Sequence, residues 1–160
     1  MSRVDRFADA KWVLERNQMW IIQAEAKVTA VVAIDTVALG TLAAIYSAAQ
    51  SKPPFAVLLA CTASGFLLVS LLSSAMAVLP RLAGIVESLI YFGKVASISE
   101  VDFLTRFKAA TDDQLLDDLL CQAHRSAQIA LSKHEWVRRS MLSFFFAVMP
   151  WATAIVWFMK

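Results

Sequence analysis

Three long apolar stretches alternate with charged ones along this chain. Residues 28–49 and 54–79 follow each other closely, and residues 141–159 (MLSFFFAVMPWATAIVWFM) come after a charged segment of about sixty residues. As α-helices the first would be about 33 Å long and the second a little longer, against a hydrocarbon core of roughly 30 Å, so all three can span a bilayer. Ahead of them, Phe7, Leu14, Ile21 and Val28 recur at seven-residue spacing, with Ala10, Asn17 and Ala24 filling the stripe. This pattern predicts one amphipathic helix over residues 4–27, and with no Gly or Pro to break it the helix should run on into the first span.

After the second span, Pro80 and Gly84 mark an exit, and residues 85–96 (IVESLIYFGKVA) predict a further helical piece that Gly93 loosens. Residues 97–110 read as a short connection with a partial helical pattern, Val101, Leu104 and Phe107. Thr111-Asp112-Asp113-Gln114 has the form of a capping box, with two carboxylates in the first turn where the helix dipole favours them. From Leu115 to Ser140 neither Gly nor Pro intervenes, so this helix should pass directly into the third span. Leu116, Leu120, Ala123, Ala127, Ala130 and Val137 form an alanine-rich seam that permits close helix approach. The expected fold class is all-α: an integral membrane helical bundle with three transmembrane helices and a cytosolic helical bundle. Its parts are residues 1–27 (amphipathic helix continuous with the first span), 28–79 (a hairpin of spans 28–49 and 54–79), 80–139 (cytosolic helices) and 140–160 (third span).

Charge sets the orientation. Three spans leave the termini on opposite sides, and thirteen of the fifteen Lys and Arg lie before the first span or between Arg81 and Arg139, leaving Lys52 and Lys160 on the other side. The positive-inside bias puts the N-terminus and residues 81–139 in the cytosol and the C-terminus outside. Trp136 near the inner end of the third span, and Tyr46 and Trp157 near outer ends, occupy headgroup-level positions. The first 27 residues carry five basic and four acidic side chains and no uninterrupted apolar region, so no cleavable signal peptide is expected there. With 59% hydrophobic and 18% charged residues the chain is far more apolar than a soluble domain, and a net charge of +2 gives no reason to expect nucleic acid as a partner. Cys61 and Cys121 show no metal spacing, and His124 and His134 are ten residues apart, so no metal site is expected.

A few polar residues interrupt the apolar faces. A second seam runs Leu115, Leu119, Gln122, Ser126, Ile129, Lys133, Trp136, which places Gln122 and Lys133 at the border of the buried face. They are either a register-setting contact and a snorkelling lysine or the lining of a pocket. About 16 Å of helix axis separates them, so one small ligand reaching both would need a pocket shared with another element. Asp35, about 10 Å into the first span, is the only acid in the hydrocarbon region; it is either a protonated or hydrogen-bonded packing residue or a conduction or gating group. Small residues align on the first span (Ala33, Thr36, Gly40, Ala43, Ser47) and on the second (Ala56, Ala60, Ser64, then Ser70, Ser74, Ala77), faces that allow tight packing within one chain or between chains. Pro150 frees a carbonyl in the third span, as a structural kink or as a hinge. No catalytic triad, phosphate loop, paired carboxylates or zinc spacing is present, and the chain is not expected to be an enzyme.

Several short motifs follow one another in order: Trp20 with Ala24-Glu25-x-Lys27 before the first span, Ile90-Tyr91-Phe92-Gly93-Lys94-Val95-Ala96 after the second, and Leu116-Asp117-Asp118-Leu119-Leu120-x-Gln122-Ala123-His124 leading to Ile129-Ala130-x-x-Lys133 before the third. As an ordered set they resemble the transmembrane effectors of bacterial Pycsar anti-phage systems. The likeness covers roughly residues 12–160; family members often have Ala-Asp where this chain has Ala24-Glu25.

The resemblance implies a receptor for a cyclic pyrimidine mononucleotide, cCMP or cUMP, made by a partner cyclase during infection. Residues 80–139 would be its sensor region. Binding would drive homo-oligomers of the membrane bundle to assemble or open in the bacterial inner membrane, in direct contact with lipid, and abort the infection; no cofactor beyond the ligand is implied. A mononucleotide needs a cation for its phosphate, a stacking surface and groups for the base edge. Lys133, Arg125 or Lys94 would supply the charge, Tyr91 or Trp20 the stacking, and Gln122 the edge. Related effectors answer to cyclic oligonucleotides. A reading from another class, a ligand-independent docking subunit of a membrane complex, would use the same helices as surfaces, and a neighbouring cyclase gene separates the two. A constitutive channel is disfavoured, because an open pore is toxic and the cytosolic part occupies over half the chain.

Overall fold

The computed structural model describes residues 3–79 and 88–160, and among them all regular structure is helical. The elements are α1 (Arg3–Ala48), α2 (Pro54–Val78), α3 (Phe92–Val95), α4 (Glu100–Ala109) and α5 (Asp112–Phe158). Three of them, α1, α2 and α5, are long and apolar enough to cross a membrane.

The seven-residue ladder of the N-terminal segment is the inward face of α1. Ala10, Ala24 and Val28 are buried and Phe7, Leu14, Asn17 and Ile21 half-buried, while the residues between them are mostly exposed. The ladder then continues through the apolar stretch as Asp35 and Leu42, both buried, and Ala49. Asp35 therefore occupies a seam position.

At the start of α5 the capping box closes in both directions: Thr111 N–H donates to Gln114 Oε1 at 2.8 Å and Gln114 N–H to Thr111 Oγ1 at 3.3 Å. The helix then runs unbroken to Phe158, straight through Pro150. Its seam is Leu116, Ala123, Ala130 and Val137, all buried, with Ala127 half-buried. Leu120 is not part of it and is 46% exposed.

Between α2 and α5 the structure differs from the sequence expectation in two places. Of the helix expected over residues 85–96, residues 85–87 lie outside the described residues, and residues 88–91 are not helical. Ser88 Oγ accepts from Ile90 N–H at 3.1 Å and from Tyr91 N–H at 2.8 Å, offering the backbone a local turn in place of a helical ladder. Only the single turn α3 follows. The expected connection over residues 97–110 contains the ten-residue helix α4, capped by Ser99, whose Oγ accepts from Asp102 N–H at 3.1 Å and donates to Asp102 Oδ2 at 2.8 Å. None of its side chains is buried.

The described residues form two compact units, and α1 and α5 contribute to both. The first contains residues 3–23 and 88–131; within it Asn17 Nδ2 donates to the Ala123 carbonyl at 2.9 Å, tying α1 to α5. The second contains residues 24–79 and 132–160. Its interior is built of small side chains: Ala24, Ala56, Ala60, Ala63, Ala77, Ala147 and Ala154, with Ser70, Ser73, Ser74, Ser140 and Ser143, are all buried. Its bulk points outward, with Val37, Leu58, Leu72, Phe145, Phe146 and Met149 each more than half exposed. Lipid is the solvent that accepts this arrangement, small residues letting backbones approach where burial among helices gains nothing over burial in acyl chains.

The two small-residue faces have different fates. That of α2 is buried except for Ser64, which is half-buried, whereas Ala33, Thr36, Gly40, Ala43 and Ser47 on α1 are exposed, and a Cβ built at Gly40 would meet nothing within 4 Å. Gly40 is thus not needed for packing inside one chain.

Lys133 forms the main polar tie in the second unit. Its ammonium donates to Glu25 Oε1 at 2.9 Å and to the Ala77 carbonyl at 2.8 Å. Ala77 lies in the last turn of α2, whose carbonyls have no intrahelical partner, so the lysine both pairs with a carboxylate and caps a helix C-terminus. At 6% exposure it does not snorkel.

Two substitutions should separate these roles. Ala63→Leu, at a wholly buried site, should lower thermal stability in detergent by about 1–3 kcal/mol through overpacking, while Gly40→Leu should leave it within about 0.5 kcal/mol. Equal losses in the two would contradict the burial pattern. Lys133→Met keeps the stem but orphans the Ala77 carbonyl, and should cost about 1.5–3 kcal/mol; an unchanged midpoint would show that the tie contributes nothing.

Candidate functional site

The first unit gathers polar groups around the turn at Ser88. Ser88 is buried, and besides the two backbone N–H groups its hydroxyl accepts from Gln122 Nε2 at 3.0 Å. Asp118, one turn earlier on α5, accepts from Leu89 N–H through Oδ2 at 2.7 Å. Its other oxygen, Oδ1, is buried without a hydrogen-bond partner among the described residues. The turn is thus fastened to α5 at two points, and beside it opens a crevice of about 490 Å³ lined by Leu89, Arg106, Ala109, Ala110, Gln114 and Asp118. That volume lies within the range of small-molecule sites, about 300–1,000 Å³. A guanidinium on one wall and an acceptor oxygen without a donor on another are groups that fit a small anion carrying hydroxyl or amino donors.

Of the residues expected to bind a ligand, Gln122 and Tyr91 meet at this turn, both bonded to Ser88 Oγ, Tyr91 through its backbone N–H. The Tyr91 ring folds back over Gly93, where an added Cβ would sit 2.7 Å from Cε1, and packs against Phe92 with centroids 5.0 Å apart. Arg125 donates to Gln128 Oε1 at 3.0 Å. Lys94 is half-buried in α3, and its carbonyl accepts from the Ser97 hydroxyl at 2.7 Å. Trp20 is 43% exposed with Arg16 over its ring at 5.6 Å. Lys133 belongs to the second unit and holds Glu25 and Ala77, whereas Gln122 belongs to the first.

The second unit has a polar interior toward the end that carries Glu25, Ala77 and Lys133. Ser140 Oγ on α5 lies 3.0 Å from Ser70 Oγ and 2.8 Å from Ser74 Oγ on α2, a buried chain of three hydroxyls. Asp35 is wholly buried; Ser70 lies beside its carboxyl, but neither carboxyl oxygen meets hydrogen-bond geometry with any described residue. Further along, the ties become side chain to backbone, from Ser143 Oγ to the Phe66 carbonyl at 2.7 Å and from Trp151 Nε1 to the Ala38 carbonyl at 2.9 Å. The far end is apolar: Leu42, Ala56, Ala60, Ala63, Ala154 and Phe158 form one buried cluster. Pro150 is half-buried next to Trp151.

Sequence reasoning missed Ser88, Arg106 and Asp118 at the crevice and Ser140 at the hydroxyl chain. Asp118 stands in the Leu116–His124 motif with no role of its own assigned, and Arg106 in a stretch whose pattern reads as a connection. A signal for Ser140 existed: it stands seven residues after Lys133, and 133–140 repeats the spacing of 123, 130 and 137.

Among proteins already described, nothing among the curated sequences or the solved structures matches this chain. The family described as the Pycsar effector protein domain matches residues 9–160, from the N-terminal helix to the last residue. The match takes in both units, the crevice and all three membrane-length helices. The chain therefore belongs to the Pycsar effector family, whose members are membrane effectors of anti-phage defence.

Proposed function

We propose that this protein is a ligand-gated effector of the bacterial inner membrane, which senses cCMP or cUMP from a partner pyrimidine nucleotide cyclase and permeabilises the membrane to abort infection. The observation that carries the reading is the family match over residues 9–160, which joins the crevice-bearing unit and the membrane helices in one effector domain. The excess of Lys and Arg before the first span and between Arg81 and Arg139 supports a cytosolic N-terminus and crevice and a periplasmic C-terminus.

The ligand sits in the crevice beside the Ser88 turn. Arg106 pairs with the cyclic phosphate, Asp118 Oδ1 accepts from a ribose hydroxyl or the cytosine amino group, and Tyr91 at the neighbouring turn stacks on the base. Arg125 and Lys94 are further cations of this unit, and Trp20 a further aromatic surface. Gln122 acts by holding Ser88 and hence the turn. Lys133 acts on the membrane bundle instead of the ligand.

Self-assembly uses the exposed small-residue face of α1. A homo-oligomer is the occupant that fits a chain whose effect is on the bilayer, and the face lets a second copy approach closely without disturbing the internal seam.

Calorimetry of the detergent-solubilised protein with cUMP and cCMP tests the ligand. Wild type should bind one of them, and Arg106→Ala should weaken binding at least about tenfold, the loss of a charge-assisted contact of roughly 1.5–3 kcal/mol. Asp118→Asn should weaken it less, and Lys133→Met should leave it unchanged. Binding of neither nucleotide to wild type would favour a cyclic oligonucleotide or a docking subunit. For assembly, Gly40→Leu should fold and insert normally yet lose toxicity when the cyclase is induced; killing equal to wild type would remove this face from the interface.

A further inference from the structure

The charge content of the membrane interior points beyond permeabilisation to what passes. Within residues 28–49, 54–79 and 141–159 there is one ionisable Asp, Glu, Lys or Arg, and it is Asp35. A polar group in that region is costly without a partner. Asp35 nevertheless occupies the seam position between Val28 and Leu42, where an apolar residue would pack at no such cost, and it is wholly buried with, among the described residues, only the Ser70 side chain beside its carboxyl, outside hydrogen-bond geometry.

Its surroundings have a direction. The Glu25–Lys133 pair on the Ala77 carbonyl, the Ser74–Ser140–Ser70 hydroxyl chain and Asp35 succeed one another inside the second unit. From Glu25 to Asp35 the column runs ten residues of α1, about 15 Å, of which about 10 Å lies within the first span. All three membrane helices contribute to it. Beyond Asp35 come the Ser143 and Trp151 bonds to backbone carbonyls and then the apolar cluster of Leu42, Ala56, Ala60, Ala63, Ala154 and Phe158. The bundle thus carries a polar end that stops at a carboxyl and an apolar half that seals it.

We propose that Asp35 is the cation-selecting group of the membrane lesion: when the apolar half parts, water reaches the carboxyl and the path passes monovalent cations in preference to anions. Serine hydroxyls substitute for part of an ion's hydration, and the Asp35 carboxylate at the inner end of the column supplies the field that excludes anions. This rests on the permeabilising function proposed above.

The test is a reversal-potential measurement on the full chain in proteoliposomes under a KCl gradient, with cUMP or cCMP added. Wild type should show a potential near that of potassium, Asp35→Glu should retain it, and Asp35→Asn should cut the potassium-to-chloride permeability ratio at least about tenfold. Wild type that passes both ions equally, or Asp35→Asn with wild-type selectivity, overturns the inference and leaves permeabilisation standing. A folded Asp35→Asn protein that conducts nothing also overturns it, since the carboxyl would then serve opening. Absence of any nucleotide-evoked flux in wild type defeats the permeabilising function itself, and the inference with it.

Discussion

Helices in hydrocarbon gain little by burying side chains against one another, because lipid is already apolar; they hold together by close approach and by polar ties. The second unit of this protein obeys that constraint throughout. Its seam is alanine and serine, its large residues face outward, and its specific contacts are a hydroxyl chain, two side-chain-to-carbonyl bonds and the Lys133 tie to Glu25 and Ala77. A polar group placed in such a seam cannot be solvated where it stands, so each must find a partner or serve a purpose. Lys133 and the serines have found partners, and Asp35 stands out against them.

The first unit is organised differently. Its irregular turn is made by side chains competing for the backbone, Ser88 for two N–H groups and Asp118 for a third, with Gln122 holding Ser88 from α5. Fastening of this kind leaves a crevice with a cation on one wall and an acceptor on another. A site of that type can be altered by a small ligand, because the turn depends on a few hydrogen bonds and not on a deep core; α4, which lines it with Arg106, buries none of its side chains.

Much of the fold was legible in residue spacing. The seven-residue ladder from Phe7 to Val28 became the buried face of α1, and the Thr111–Gln114 box became a reciprocal cap, because both signals are local and repeat over many residues. Signals resting on a single side chain were less legible. Leu120 fitted the seam by spacing yet faces outward, since helical periodicity admits either 119 or 120 between 116 and 123. Ser88 stopped a helix that composition favoured, and Ser99-x-x-Asp102, a cap with Asp in the last position, started one where a connection was expected. The small-residue faces of α1 and α2 looked alike in sequence; which of them is internal depended on where the third helix lies, and that is a tertiary fact. For the same reason the crevice, whose walls come from residues 89 to 118, could not be assembled from motif spacing.

Ligand, orientation and membrane effect meet in one measurement. Inverted inner-membrane vesicles carrying the protein are energised and then given cUMP or cCMP from outside, the face that was cytosolic. Rapid collapse of the transmembrane potential is expected on addition, with no effect when the same nucleotide meets right-side-out vesicles. A potential that survives both nucleotides in inverted vesicles, or collapses only in right-side-out ones, would contradict it.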